Sequence, residues 1–290
     1  MITFFTTFRT YSRAEQNAIV SWLAIGSTNE VIVFTEAEGL AETINDPRVS
    51  VRPVPARHSS GPPLLDGIFE EASRLSRHAL LCYCNSDIIL LPDFMTRARA
   101  LNTLSGYFLA VSQRIDIEID FELDRLDPTF ARLRSHVESK GKIHPPTGSD
   151  VFLFPKGQYT RETMPPLVVG RPAWDNWMFF DARNRFNRLI DLTGHGRAVV
   201  HQDHPANYHS ANPAHQVNYT YLPPTDPYTF VLAYCNYKWT GSRIEKIEVA
   251  KPDLKRMQWE MRFAPDGWHR LSWWMMWKFK IAKKKIRSWV

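Results

Sequence analysis

Asn85-Ser86-Asp87 follows an apolar run over residues 79–84 and precedes a second one over residues 88–91. A carboxylate that emerges where a buried strand ends is costly without a partner. Its oxygen is the donor that a hard cation such as Mg²⁺ or Mn²⁺ prefers, and such a cation keeps positions open for phosphate and water. Asp87 is therefore read as the holder of a metal and a diphosphate. Asn85, an amide, suits a ribose hydroxyl or a bound water better than a metal. The competing reading is an Asx turn between two apolar runs.

Other polar sets lie downstream. Gly148-Ser149-Asp150 precedes the apolar residues 151–154, and a glycine there lets backbone approach a ligand closely. Asp175 stands between Trp174 and Trp177 where a helical pattern begins. A carboxylate so placed can take the proton of an attacking hydroxyl, or it can simply complement the helix amino terminus. Asp150 competes with it for the role of base. The Trp174 ring offers an apolar face to a ligand, although tryptophan at helical spacing also builds cores. Arg9 and Arg114 are candidate anion partners.

Alternating strand and helix patterns must position these residues. Periodicity predicts strands over 2–7, 31–35 and 49–54 and helices over 13–25 and 64–76. Further on, it predicts a helix over 94–104, strands over 107–112, 151–154 and 189–192, and a helix over 174–187. That order indicates an α/β fold with a mostly parallel sheet covered by helices on both faces. Ligands in such sheets bind beyond the carboxyl ends of the strands, which is where Asn85-Ser86-Asp87 falls. Residues 115–142, rich in both charges, read as an insertion or flap without chemistry, with a weak helix signal over 129–139.

Composition bounds the class. A 290-residue chain, 44% apolar and 13% aromatic, can bury a large core. The 36 Lys and Arg exceed the 30 Asp and Glu only modestly, and much of the excess lies in residues 278–287, which argues against nucleic-acid binding. Cys82, Cys84 and Cys235 are expected to be reduced and buried, with Cys82 and Cys84 on opposite faces of one strand. The amino terminus does not read as a signal peptide. No apolar stretch reaches the roughly 20 residues that span a bilayer, and the expected location is the cytoplasm.

Taken in order, Thr6-Thr7, Asn85-Ser86-Asp87, Gly148-Ser149-Asp150, the segment from Gly170 through Arg171 and Trp174-Asp175 to Trp177, and His201-Gln202-Asp203-His204 resemble bacterial glycosyltransferases of the GT-A fold, the nucleotide-diphospho-sugar transferases. The resemblance covers about residues 2–209. It implies a Mn²⁺- or Mg²⁺-dependent transfer of a sugar from a nucleotide-diphosphate donor to a saccharide or lipid-linked acceptor, in surface polysaccharide or glycolipid synthesis. It further implies donor contacts at Thr6, Thr7, Arg9, Asn85, Ser86, Asp87, Arg114 and Gly148, with phosphate contacts for Arg9 and Arg114, and a ribose contact for Glu36. Asp87 and His201 would hold the metal, Asp175 or Asp150 would serve as base, and Trp174 and Arg171 would lie on the acceptor side. The family motif usually carries two acidic residues where this chain has Asn85 and Asp87. A sugar nucleotidyltransferase would need a Gly-rich loop after the first strand, and residues 6–12 contain no glycine. A catalytically silent binder of nucleotide sugars is the non-enzymatic alternative.

The expected organisation is a catalytic domain over 1–215, an extension over 216–266 packed on it, and a basic, tryptophan-rich helix over 267–290. Along that helix Trp268, Leu271, Met275, Phe279, Ala282, Ile286 and Trp289 fall on one face among lysines. Such a helix suits an anionic membrane surface, which would make the protein peripheral on the inner face of the plasma membrane. It suits equally well docking on the catalytic domain or on a partner.

Overall fold

A computed structural model of the chain describes residues 1–124, 127, 129–147, 149–194, 197–203, 213–223 and 230–249. Gly148, the tryptophan-rich helix and much of the expected extension lie outside the described residues.

The chain opens with β1 (Thr3–Thr7), α1 (Arg13–Ala24) and β2 (Glu30–Phe34). There follow α2 (Leu40–Ile44), β3 (Val49–Arg52), α3 (Leu65–Leu75) and β4 (Leu80–Cys84). Strands β1, β2 and β4 are buried runs with little alternation, because helices cover both of their faces, while the edge strand β3 is only half-buried. The middle of the chain supplies β5 (Ile88–Leu90), α4 (Asp93–Ala100), β6 (Leu109–Val111), β7 (Ile115–Ile117), α5 (Ala131–Lys140) and β8 (Lys142–Ile143). The remaining elements are β9 (Val151–Pro155), α6 (Trp174–Asp181), β10 (Leu189–Asp191), β11 (Val199–Gln202), β12 (Tyr237–Trp239) and β13 (Ile244–Lys246).

The main sheet has nine strands in the order β13-β12-β10-β6-β9-β4-β1-β2-β3. Its pairings are parallel except around β9, which runs antiparallel to β4 and β6, and at the β12–β13 edge. Residues 237–246 thus extend the main sheet. A second sheet, β5-β11-β7-β8, lies to one side.

Two apolar cores sandwich the main sheet. Phe4, Val31, Cys82 and Leu153 face α1, α4 and the small sheet, while Phe5, Ile32, Tyr83 and Phe152 face α3 and α6. Cys82 and Cys84 share the first face, with Tyr83 on the other, so the expectation of opposite faces is corrected. Residues two apart on a strand point the same way. The three cysteines are buried and unbonded, and burial raises each thiol pKa well above its usual value.

Residues 88–90, an apolar run that does not itself specify a partner strand, pair with β11 in the small sheet. Two further expectations change. The helix after Pro92 ends at Ala100 and tightens into a 3₁₀ turn over Leu101–Thr103, and α6 passes into a π turn over Ala182–Phe186. Residues 115–142 are no loose insertion. Ile115 and Ile117 are buried, Leu133 and Val137 anchor α5 in the same core, and β7 joins the small sheet.

Candidate functional site

The site forms at the carboxyl edge of the main sheet. Asn85 leaves β4 there, residues 112–114 leave β6, and the antiparallel β9 begins there at Val151. Helix α1 braces the Asp87 turn from behind. Ser12 and Glu15 form a capping box at its amino end, and the second oxygen of Glu15 accepts from Ser86 Oγ at 3.4 Å. Trp22 Nε1 donates to the Ile88 carbonyl at 2.9 Å, and buried Gln202 donates to the carbonyls of Ala14 (2.8 Å) and Asp87 (3.1 Å). Asn17 donates to Gln202 Oε1 at 3.0 Å and to the Phe121 carbonyl, which ties the small sheet to the same helix.

Register sets the chemistry. In β11, His201 lies opposite Ile88 of β5 on one side and opposite Asp116 of β7 on the other. Its Nε2 stands 3.4 Å from Asp87 Oδ2, and its Nδ1 stands 3.1 Å from Asp116 Oδ1. Arg114 links that group to the next. Its Nε donates to Asp116 Oδ1 at 2.9 Å, and Nη1 makes a very short ion pair with Asp150. Asp150 also accepts from Asn85 Nδ2 at 2.6 Å, while the Asn85 backbone N–H donates to the Asp150 carbonyl at 2.9 Å. His144, just after β8, has Nδ1 2.6 Å from Asp116 Oδ2.

Asp175 closes the group. It sits in the first turn of α6, after Ala173 in the left-handed region at φ 76. A non-glycine residue there costs roughly 1–2 kcal/mol, so packing on both sides must hold it. Residue Asp175 keeps some accessible surface, but its carboxyl is sunk into the protein. Burial pushes its pKa up to about 7, and the nearby charge of Asp150 adds to the rise. Backbone N–H groups of Asn176, Asp175 and Ser149 oppose it. Burial alone would also raise Asp116, yet the His144 hydrogen bond and the Arg114 charge outweigh it and hold the carboxyl below its usual range. Arg114 is likewise opposed by burial and still raised by Asp150 and Asp116.

Of the residues singled out from sequence, Asn85, Asp87, Arg114, Asp150, Asp175 and His201 come together, with Ser86 beside them. Thr6 is buried, and its Oγ1 meets no hydrogen-bond partner among the described residues. Thr7 Oγ1 donates to the Phe34 carbonyl at 2.8 Å, so that hydroxyl is engaged within the sheet. Arg9 is exposed beyond β1, and Glu36 accepts from Arg57 at 3.2 Å and from the Val54 N–H. Arg171 Nη1 donates to the Gly170 carbonyl. Trp174 departs from the acceptor-stacking expectation. Its ring is buried edge-on to Tyr83 and tilted against Phe152, where it packs α6 onto the sheet.

Asp116 and His144 are the site residues that sequence reasoning missed. A signal for Asp116 existed: Ile115, Ile117 and Ile119 alternate with Asp116, Glu118 and Asp120, the pattern of a half-buried strand. His144 has no comparable signal, because only the short β7–β8 pairing brings it back to Asp116.

The fit to a divalent cation is partial. Among the described residues no group of three or more His, Cys, Asp and Glu side chains is arranged to hold a metal ion. Asp87 and His201 do present one carboxylate oxygen and one imidazole nitrogen to each other, and four carboxylates gather around one guanidinium and two imidazoles. Two protein donors suit a cation that takes its remaining ligands from phosphate and water. No helix among the described residues is long and apolar enough to cross a membrane.

No protein-family model matches this chain, and no curated protein sequence matches it. Solved structures do. A crystal structure of S. aureus TarS 1–349 aligns with a TM-score of 0.44 at 12% identity, covering 70% of this chain and 60% of that one. The same segment in complex with UDP-GlcNAc aligns with a TM-score of 0.43 at 10% identity over 73% and 61%, and in complex with UDP with 0.42 at 12% over 71% and 61%. This chain therefore spans about 60% of the length of those structures.

Proposed function

We propose that this protein is a glycosyltransferase that passes a sugar from a nucleoside-diphosphate donor to a hydroxyl acceptor. The observation that carries the reading is the meeting of Asp87, His201, Arg114, Asp150 and Asp175 at the carboxyl edge of the sheet. In this reading the acceptor oxygen attacks the anomeric carbon as the carbon–oxygen bond to the diphosphate breaks, and the bonding pair leaves with the nucleoside diphosphate. Attack from the face opposite the leaving diphosphate inverts the anomeric carbon, and the acceptor proton goes to Asp175. A carboxylate that ionises at about 7 is well matched to that task, because it is substantially deprotonated near neutrality and still basic.

Asp87 and His201 are the residues that would hold Mn²⁺ or Mg²⁺. When bound, the cation supplies electrostatic stabilisation of negative charge on the diphosphate. Arg114 contributes fixed positive charge to the same edge, and Asn85 orients Asp150. Thr6 and Arg9 mark the nucleotide side of the site, and the acceptor would enter past Arg171. Synthesis of a surface polysaccharide or glycolipid, with the lysine- and tryptophan-rich carboxyl-terminal segment on an anionic membrane, is the context that suits such an enzyme.

A catalytically silent binder draws on one observation. Arg114 already bridges Asp116 and Asp150, two carboxylates that could otherwise serve a ligand. One experiment separates the readings: the full chain is incubated with Mn²⁺ and a panel of nucleotide sugars, UDP-GlcNAc first, and free nucleotide is followed. Release with one donor, abolished in a folded Asp87→Ala variant, supports the enzyme. Binding without release on any acceptor selects the silent reading, and neither binding nor release rejects both.

A further inference from the structure

Among the linked groups His144, Arg114, Asp116 and Asp150, His144 is the most open. Its side chain is 28% exposed, against 20% for Arg114, 21% for Asp116 and 12% for Asp150. It is also held firmly at one nitrogen. Nδ1 lies 2.6 Å from Asp116 Oδ2, while an Arg114 Nη2 approaches the same nitrogen only to 3.4 Å. Asp116 already accepts from Arg114 Nε through Oδ1, and its Oδ2 is the natural acceptor for the ring, so the shorter contact places a proton on Nδ1. Backbone bonds fix the residue further. The His144 N–H donates to the Arg114 carbonyl at 3.0 Å, and Gln113 Nε2 donates to the His144 carbonyl at 2.5 Å.

In that tautomer Nε2, on the far side of the ring, carries a lone pair, and among the described residues it has no protein partner. A lone pair accepts from a hydroxyl and repels a phosphate oxygen. Through Arg114, the ring is one guanidinium away from Asp150 and hence close to the reacting edge. We propose that His144, oriented by Asp116, binds a hydroxyl of the sugar-bearing ligand through Nε2. Asp116 is then a positioning residue that acts through His144 and Arg114. The assignment rests on the transferase reading, and it adds a polar contact that distinguishes a sugar nucleotide from a bare nucleotide.

The test uses the full chain with ¹⁵N-labelled histidine rings and the His144 signals identified by their loss in His144→Phe. The expected pattern without ligand is the Nδ1–H tautomer, lost in Asp116→Ala. Adding UDP-GlcNAc with Mg²⁺, which is diamagnetic, should shift the His144 Nε2 signal, and UDP with Mg²⁺ should not. By calorimetry, His144→Phe should bind UDP-GlcNAc about tenfold more weakly, roughly 1.4 kcal/mol, and bind UDP within twofold of the wild type. His144→Ala, which does not fill the space with a ring, should repeat this. A shift that appears only on adding free hexoses to the UDP complex would overturn the donor contact and place the hydroxyl on the acceptor. An Nε2–H tautomer, equal losses for UDP and UDP-GlcNAc, or no shift with any sugar while UDP binds would overturn the assignment. If the wild type binds neither nucleotide, the transferase reading fails first, and that outcome is distinct from a failure confined to the His144 variants.

Discussion

The two edges of the main sheet each hold a cluster of charged residues, and they solve the problem differently. At the amino edge the Glu30 carboxylate, largely buried, accepts from Thr3 Oγ1 (2.6 Å), the Arg77 N–H (2.7 Å) and Arg77 Nε (2.8 Å). One carboxylate meets one guanidinium and two further donors, all nearby. At the carboxyl edge Asp87, Asp116, Asp150 and Asp175 surround Arg114, His144 and His201. Local hydrogen bonding completes the first cluster and leaves the second with an excess of acid. A closed arrangement serves the fold, whereas one that still calls for positive charge and donors serves a ligand.

Removing the central cation from each edge should expose the contrast most sharply. Arg114→Met strands Asp116 and Asp150 in a partly buried setting and should destabilise the protein by about 3–5 kcal/mol in denaturant unfolding. Arg77→Met should cost only about 0–1 kcal/mol, because its side chain is 72% exposed. Equal effects would erase the distinction between the edges.

Asp175→Asn should lower turnover by about 10²–10⁴-fold with little change in donor affinity. In the wild type, turnover should rise as pH passes about 7, where the carboxyl loses its proton. Stability should move the other way. A carboxyl whose folded pKa lies above its ordinary value of 3.8 favours folding most at low pH, and that advantage is lost as pH rises toward about 7. Asp175→Asn should therefore gain melting temperature relative to wild type at pH 8 and not at pH 4. An alkaline gain without loss of turnover would make Asp175 a structural residue of α6.

Glu30→Gln is the milder counterpart at the amino edge. It should cost about 1–3 kcal/mol through imperfectly satisfied donors and leave turnover unchanged. Burial opposes ionisation of Glu30, but the bonds from Thr3 and Arg77 and the positive charges nearby outweigh it and hold its pKa below 4.5. A depressed carboxyl contributes stability that is present above its ordinary pKa and is lost as pH falls through the folded value. The wild type should thus lose its margin over Glu30→Gln in acid, and a margin independent of pH would contradict the ion pair as its source.

The sequence made the two edges unequally legible, for physical reasons. Strands β1, β2 and β4 are compact, mainly apolar or β-branched runs buried on both faces, and α1 and α3 carry clear helical spacing, so the main sheet and the edge where Asn85 and Asp87 emerge were readable. Asp150 and Asp175 stood out because an acid beside an apolar strand or at a helix start is conspicuous. The small sheet was not readable: its strands are two to four residues long and pair across long separations, so neither β5 nor β7 announces its partner. Asp116 and His144 were lost with it, inside a segment whose charges masked the Ile115–Ile117 alternation. The Trp174 expectation failed because spacing alone does not distinguish a ring offered to a sugar from one packed against Tyr83 and Phe152.

The most direct test is a crystal structure of the full chain grown with Mn²⁺ and UDP. Anomalous density for the ion is expected within bonding distance of Asp87 and His201, with diphosphate oxygens on its other side and Asp175 facing the space where a sugar would sit. Nucleotide bound elsewhere, or Asp87 and His201 turned toward each other with no ion between them while UDP occupies the edge, would contradict it.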